Sequence, residues 1–197
     1  MKMMERSIPL IERWAMEEAP IRILSEGDEE QMSYAIVYSS QTGNTRMLAD
    51  ALRGVLPEED CLYFGPPDAA ALEADRLYIG FWTDKGTCDG ATAAFFDQLD
   101  SQEVFLFGTC GFGGSEVYFR QLLERVQSRL PETAEVIGQY MCVGRMPQSV
   151  RERYLRIAEE EPAKRSQMQK MIFNFDAALS HPDEADLQGL IEAVKAL

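Results

Sequence analysis

The sequence predicts a doubly wound α/β domain, a five-stranded parallel sheet with helices on both faces. Three observations point there. Short apolar runs alternate with segments of helical period along residues 34–144, the pattern of strand–helix–strand units. The first run, Tyr34-Ala35-Ile36-Val37-Tyr38, is almost wholly apolar, as a parallel strand buried on both faces is. The segments leaving the first, third and fourth runs are rich in Gly, Ser, Thr and Asn, and a doubly wound sheet binds ligands beyond the carboxyl ends of its strands.

The elements follow in order. After the first strand, Met47, Leu48, Ala51, Leu52, Val55 and Leu56 share one side of a 3.6-residue period, which is an amphipathic helix. Cys61-Leu62-Tyr63-Phe64 forms a short second strand, closed by Gly65-Pro66-Pro67. A brief helical stretch over 69–74 leads to the third strand, Arg76–Trp82, and then to a loop, Thr83–Gly90. The next helix carries Ala94, Phe95 and Leu99, and the fourth strand is Val104–Phe107, followed by a glycine-rich loop over 108–114. Ser115 is placed to cap a helix whose Tyr118, Phe119, Leu122, Leu123 and Val126 lie on one face. Residues 134–141 form the fifth strand. Helices are expected over 149–160 and 164–179, the second with Met168, Met171, Ile172 and Phe175 inward, and a last one runs from Pro182 to Leu197.

The turn after the first strand, Ser40-Gln41-Thr42-Gly43-Asn44-Thr45, joins a strand end to a helix N-terminus. Unpaired amides and the positive end of the helix dipole make that junction a ready anion site. Ser40, Thr42 and Thr45 offer hydroxyl donors, Gly43 allows close backbone approach, and Asn44 tolerates unusual dihedrals. No lysine lies in the turn, so it is not the GxxxxGK[ST] loop of nucleoside triphosphatases. These residue types also serve ordinary turns, so the turn alone leaves phosphate binding open.

The six residues resemble the [ST]-x-T-G-x-T phosphate loop of the flavodoxins. Over residues 34–144 and the last helix the chain is similar to the short-chain members of that family, and the resemblance implies the flavodoxin-like strand order 2-1-3-4-5. The resemblance implies FMN as cofactor, its phosphate held by Ser40, Gln41, Thr42, Gly43, Asn44 and Thr45. It also implies two loops around the flavin ring: Trp82, Thr83, Asp84, Lys85, Gly86 and Thr87 after the third strand, and Thr109, Cys110, Gly111, Phe112, Gly113 and Gly114 after the fourth. The glycines of the second loop would let amides approach the pyrimidine edge of the ring. Departures from the family are visible. Trp82 sits at the strand end, where its placement reads as core, and Phe112 stands where many members have a stacking tyrosine. The usual acids of the first loop are reduced to Asp84 and Asp89, with Lys85 reading as a solvated side chain.

The formal net charge of −14 and pI near 4.5 argue against nucleic acid and anionic membrane surfaces, which call for a basic footprint. No apolar run approaches 18 residues and no secretory pattern opens the chain, so it reads as cytoplasmic. Cys61, Cys88, Cys110 and Cys142 show neither a C-x-x-C pair nor metal-site spacing, and read as reduced, small buried residues. His181, the single histidine, reads as part of a helix entry. Residues 1–33 carry four basic and eight acidic side chains and form an N-terminal extension, in which Leu10, Ile11, Trp14 and Ala15 suit one face of a short helix. Residues 145–182 carry seven basic and five acidic side chains and read as a helical insertion in a flavodoxin-like domain over 34–197.

From the resemblance follows an electron carrier between a flavodoxin reductase and an acceptor redox enzyme, whose basic docking patches its acidic surface would attract. Two alternatives stand beside it: an NAD(P)H-dependent FMN or quinone reductase, and a cofactor-free binding module. One fold hosts all three.

Overall fold

The computed structural model describes residues 32–112 and 115–197. Residues 1–31, with the expected N-terminal helix, and Gly113 and Gly114 of the second loop lie outside the described residues. The chain runs β1 (Tyr34–Tyr38), α1 (Asn44–Arg53), β2 (Cys61–Gly65), β3 (Arg76–Asp84), β4 (Thr87–Cys88), α2 (Gly90–Phe96), β5 (Glu103–Cys110), α3 (Glu116–Gln127), β6 (Glu135–Val143), α4 (Gln148–Glu160), α5 (Arg165–Ala177) and α6 (Glu184–Lys195). The sheet is parallel, in the order β2-β1-β3-β5-β6, with β4 folded back antiparallel on β3. Leaving β4 aside, this is the expected 2-1-3-4-5 order, the flavodoxin-like doubly wound fold.

Alternation along the strands divides two cores. Ala35, Val37, Leu77, Ile79, Phe81, Val104 and Leu106 face one way, against Phe95 and Phe96 of α2 and Leu122 and Val126 of α3. Tyr34, Ile36, Tyr78, Phe105 and Phe107 face the other way, against Leu48 and Leu52 of α1 and Leu190 and Val194 of α6. Burial on both faces is why the strands are continuously apolar. The β3–β5 pair is further locked by size matching. Gly80 pairs with Phe107 and Phe81 with Gly108, and a Cβ on either glycine would collide with the facing ring.

Several elements differ from the sequence reading. The third strand extends two residues beyond Trp82, so Thr83 and Asp84 are strand residues and the expected loop is a β-hairpin. Lys85 (φ 49°) and Gly86 (φ 84°) form its two-residue turn, with both central residues at positive φ as a type I′ turn requires. The fourth strand likewise carries Thr109 and Cys110 at its end. α1 stops at Arg53, which leaves Val55 exposed, and Ala94 points outward from α2. Of the four inward residues expected on the helix over 164–179, Met168 and Phe175 are buried while Met171 and Ile172 are half-buried. α6 begins at Glu184, after a capping box between Asp183 and Asp186. Among the described residues no helix is long and apolar enough to cross a membrane.

Candidate functional site

The ends of β1, β3 and β5 open on one cavity of about 430 Å³, at the switch point where a doubly wound sheet binds ligands. The turn after β1 forms one end of it. Gly43 takes the left-handed conformation there (φ 86°), and Asn44, to which the sequence reading gave the unusual dihedral, is instead the first residue of α1. Ser39 N–H donates to Gly80 O at 2.9 Å, which ties the turn to β3. Gln41, Thr42 and Asn44 stand on the cavity wall. Ser40 and Thr45 serve the turn from behind. Ser40 Oγ accepts from Arg46 N–H at 3.3 Å, while Thr45 is buried with its hydroxyl 3.2 Å from that of Thr109.

Asn44 is the most constrained residue of the turn. Its side chain is buried, and Nδ2 donates to Arg145 O at 2.9 Å, across 101 residues. Gly144 backs onto that amide so closely that a Cβ there would strike it. The other amide atom, Oδ1, is buried with no hydrogen-bond partner, on a residue that lines the cavity.

The β3–β4 hairpin forms a second wall through Trp82, Thr83, Asp84, Lys85 and Gly86. Trp82 is half-buried on the cavity, which corrects its reading as a core residue, because the extended strand carries it past the helices that cover the core. Thr83 Oγ1 donates to Thr109 O at 3.1 Å. Lys85 is exposed at the turn, and Thr87 lies off the cavity wall with a buried, unpartnered Oγ1. Asp89 is buried and caps α2, accepting from the N–H groups of Ala91 and Thr92 and from the Thr92 hydroxyl. It therefore faces its own helix rather than the cavity.

Thr109, Cys110, Gly111 and Phe112 form the third wall. The Cys110 thiol is pushed up to about 12 by burial, so it stays protonated and donates to Phe112 O at 2.7 Å. Burial also raises Cys88 and Cys142. All four cysteines are free, and Cys61 alone among them is not fully buried. Phe112 meets the ring of Tyr154, centroids 6.2 Å apart at 59°, so this loop aromatic does have a partner.

The fourth wall had no motif to announce it. Gly144, Arg145, Met146, Pro147, Val150, Arg153 and Tyr154, from the end of β6 through α4, line the cavity together with Tyr118 of α3. Tyr154 is buried and the Arg153 guanidinium lies over its ring at 5.6 Å. The sequence signals were the basic excess of 145–182 and a glycine directly after the fifth strand. His181 lies outside this cavity, its Nδ1 2.6 Å from Asp186 Oδ2. The same carboxylate accepts Asp183 N–H at 2.9 Å, so the group belongs to the entry of α6.

The flavodoxin domain family matches residues 35–195 of the chain. A flavodoxin-like domain-containing protein BilS of Clostridium symbiosum is 40% identical over 173 residues, which cover 79% of this chain and 90% of that one. A protein of the same description from Clostridioides difficile is 26% identical over 164 residues, covering 79% and 90%. Among solved structures, the two-electron reduced flavodoxin of Megasphaera elsdenii is 23% identical with a TM-score of 0.43, covering 59% of this chain and 89% of its own.

Proposed function

The chain belongs to the flavodoxin domain family, and on that premise we propose that it is a cytoplasmic electron carrier, loaded by a flavodoxin reductase and emptied by an acceptor redox enzyme. FMN, the cofactor of that family, supplies one- and two-electron chemistry when bound.

The residues present fit that group. The N-terminal amides of α1 and the Thr42 hydroxyl suit a phosphate. Asn44 lines the cavity and its buried Oδ1 lacks a partner, an acceptor that a hydroxyl of a sugar-alcohol chain would satisfy. Trp82, Phe112 and Tyr154 line the remainder with aromatic surface, and that surface suits a flat ring and keeps water from it. One observation carries the reading: the turn after β1, the β3–β4 hairpin and the end of β5 share a single cavity.

The carrier role is favoured by what the cavity offers. Asp84 is the one carboxylate among its described lining residues, and no histidine is there, so a substrate would find no paired acid and base. Residues 34–144 with 183–197 carry a net charge of −12, which repels an anionic dinucleotide and steers basic protein patches inward. A second reading, an NAD(P)H-dependent FMN or quinone reductase, draws on Arg145 and Arg153, two cations on the cavity wall.

Anaerobic stopped-flow absorbance on the FMN-loaded protein tests both. We expect NADH or NADPH alone to leave the flavin bands intact over seconds, and bleaching to begin when a flavodoxin reductase is added, slowing as salt rises. Rapid bleaching by either nucleotide alone overturns the carrier reading in favour of the second. A protein that shows no flavin band after incubation with FMN overturns both, leaving a cofactor-free binding module.

A further inference from the structure

We propose that Arg145, on the connection between β6 and α4, supplies the positive charge for the FMN 5′-phosphate that the turn after β1 does not carry. The inference rests on the FMN reading above.

Ser40–Thr45 contains no lysine or arginine, so its own donors are hydroxyls and amides. Arg46 follows directly, but it is exposed and pairs with Asp50 at 3.6 Å, one turn further along α1. Lys85 sits at the tip of the β3–β4 hairpin, and Arg153 lies over Tyr154 at the aromatic end of the cavity. Arg145 differs from these in where its backbone is fixed. Its carbonyl accepts from Asn44, the first residue of α1, at 2.9 Å. Its N–H donates to His181 O at 3.0 Å. Gly144 before it packs against the Asn44 amide with no room for a side chain. Two hydrogen bonds and one close approach therefore root Arg145 beside the N-terminus of α1.

Its side chain is available. Arg145 is exposed, lines the same cavity, and takes part in no ion pair among the described residues. The unpartnered Oδ1 of Asn44, on a residue 4% exposed, independently marks this end of the cavity as built for a polar ligand. A guanidinium at a helix N-terminus adds charge-assisted bonds to those the amides give a phosphate dianion. It adds nothing for a ligand without the phosphate. Arg145 thus sets a preference for FMN over riboflavin.

The test titrates the full-length apoprotein with FMN and with riboflavin, at low and high salt. Arg145→Gln retains the backbone bonds that fix the segment. It should weaken FMN by about ten- to a hundredfold, leave riboflavin within about twofold, and flatten the salt dependence of FMN binding. Arg156→Gln, which removes an equal charge from an exposed position off the cavity wall, should keep the FMN-to-riboflavin ratio of the parent. An unchanged ratio in Arg145→Gln, or an equal fall in Arg156→Gln, overturns the assignment while leaving FMN binding itself intact. A parent that binds neither ligand overturns the FMN reading and this one with it.

Discussion

The hydroxyls of Thr45 and Thr109 lie 3.2 Å apart beneath the cavity, on side chains 1% and 3% exposed. That bond joins the first turn of α1 to the end of β5, and so fixes the turn after β1 to the wall that carries Phe112. Thr45→Val keeps the shape but leaves a buried hydroxyl on Thr109 without its partner. We expect a loss of about 1–3 kcal/mol in unfolding free energy. The double variant Thr45→Val/Thr109→Val should recover most of it, because both polar groups are then gone. Urea denaturation of the three proteins measures this, and equal midpoints for parent and single variant would show that the bond contributes nothing.

The two ends of the cavity predict different ligand selectivity. Thr42→Ala removes a hydroxyl from the end proposed to hold the phosphate, and should weaken FMN by about tenfold or more while riboflavin is unaffected. Tyr154→Leu removes an aromatic wall from the other end, and should weaken the two ligands alike. Fluorescence titration reads both, and equal losses for Thr42→Ala would place the phosphate elsewhere.

Size matching between β3 and β5 predicts that small additions are costly. Gly80→Ala and Gly108→Ala each push a methyl group into a buried phenylalanine ring. Each should destabilise the fold by about 1–3 kcal/mol, the range for overpacked cores. Gly90→Ala is the comparison: it meets nothing within 4 Å at the start of α2, and should be close to neutral. Thermal or chemical denaturation distinguishes these, and a neutral Gly80→Ala would mean that the strands part easily.

The Cys110 thiol gives an alkaline limit. Its value is about 12 in the folded chain against 9.0 when unperturbed, so the unfolded chain loses the proton first. Between those values the native state binds more protons than the unfolded state, and stability falls as pH rises. The contribution is complete below about pH 9 and lost progressively towards 12. The denaturation midpoint should drop across this window, less steeply in Cys110→Ala. At pH 8 in native buffer, a thiol reagent should modify Cys61 rapidly and the three buried cysteines only after denaturation. Rapid native labelling of Cys110 would contradict its burial.

Much of this molecule was written in local patterns. The alternation of apolar strands and helix-period segments specified a doubly wound parallel sheet, since each element follows from the spacing of residues near one another, and the family resemblance supplied its order. The turn Ser40–Thr45 was legible as a candidate anion site for the same reason: a strand, a glycine and a helix start are contiguous in the chain. What spacing could not give was where strands end. β3 runs on to Asp84 and β5 to Cys110, because backbone pairing with neighbours and the hairpin turn at Lys85-Gly86 extend them beyond their apolar stretches.

By itself the sequence determined the fold, the family and the three loops at one edge of the sheet. Tertiary structure alone decided what those residues do. Thr45 and Asp89 look like ligands in the sequence, yet their polar atoms are taken up by Thr109 and by the first turn of α2. Arg145, Arg153 and Tyr154 belong to no motif, yet they line the cavity. The reason is physical. A hydrogen bond such as that between Asn44 and Arg145, 101 residues apart, depends on how β6 and α4 pack after folding, and no local pattern encodes which distant group will arrive.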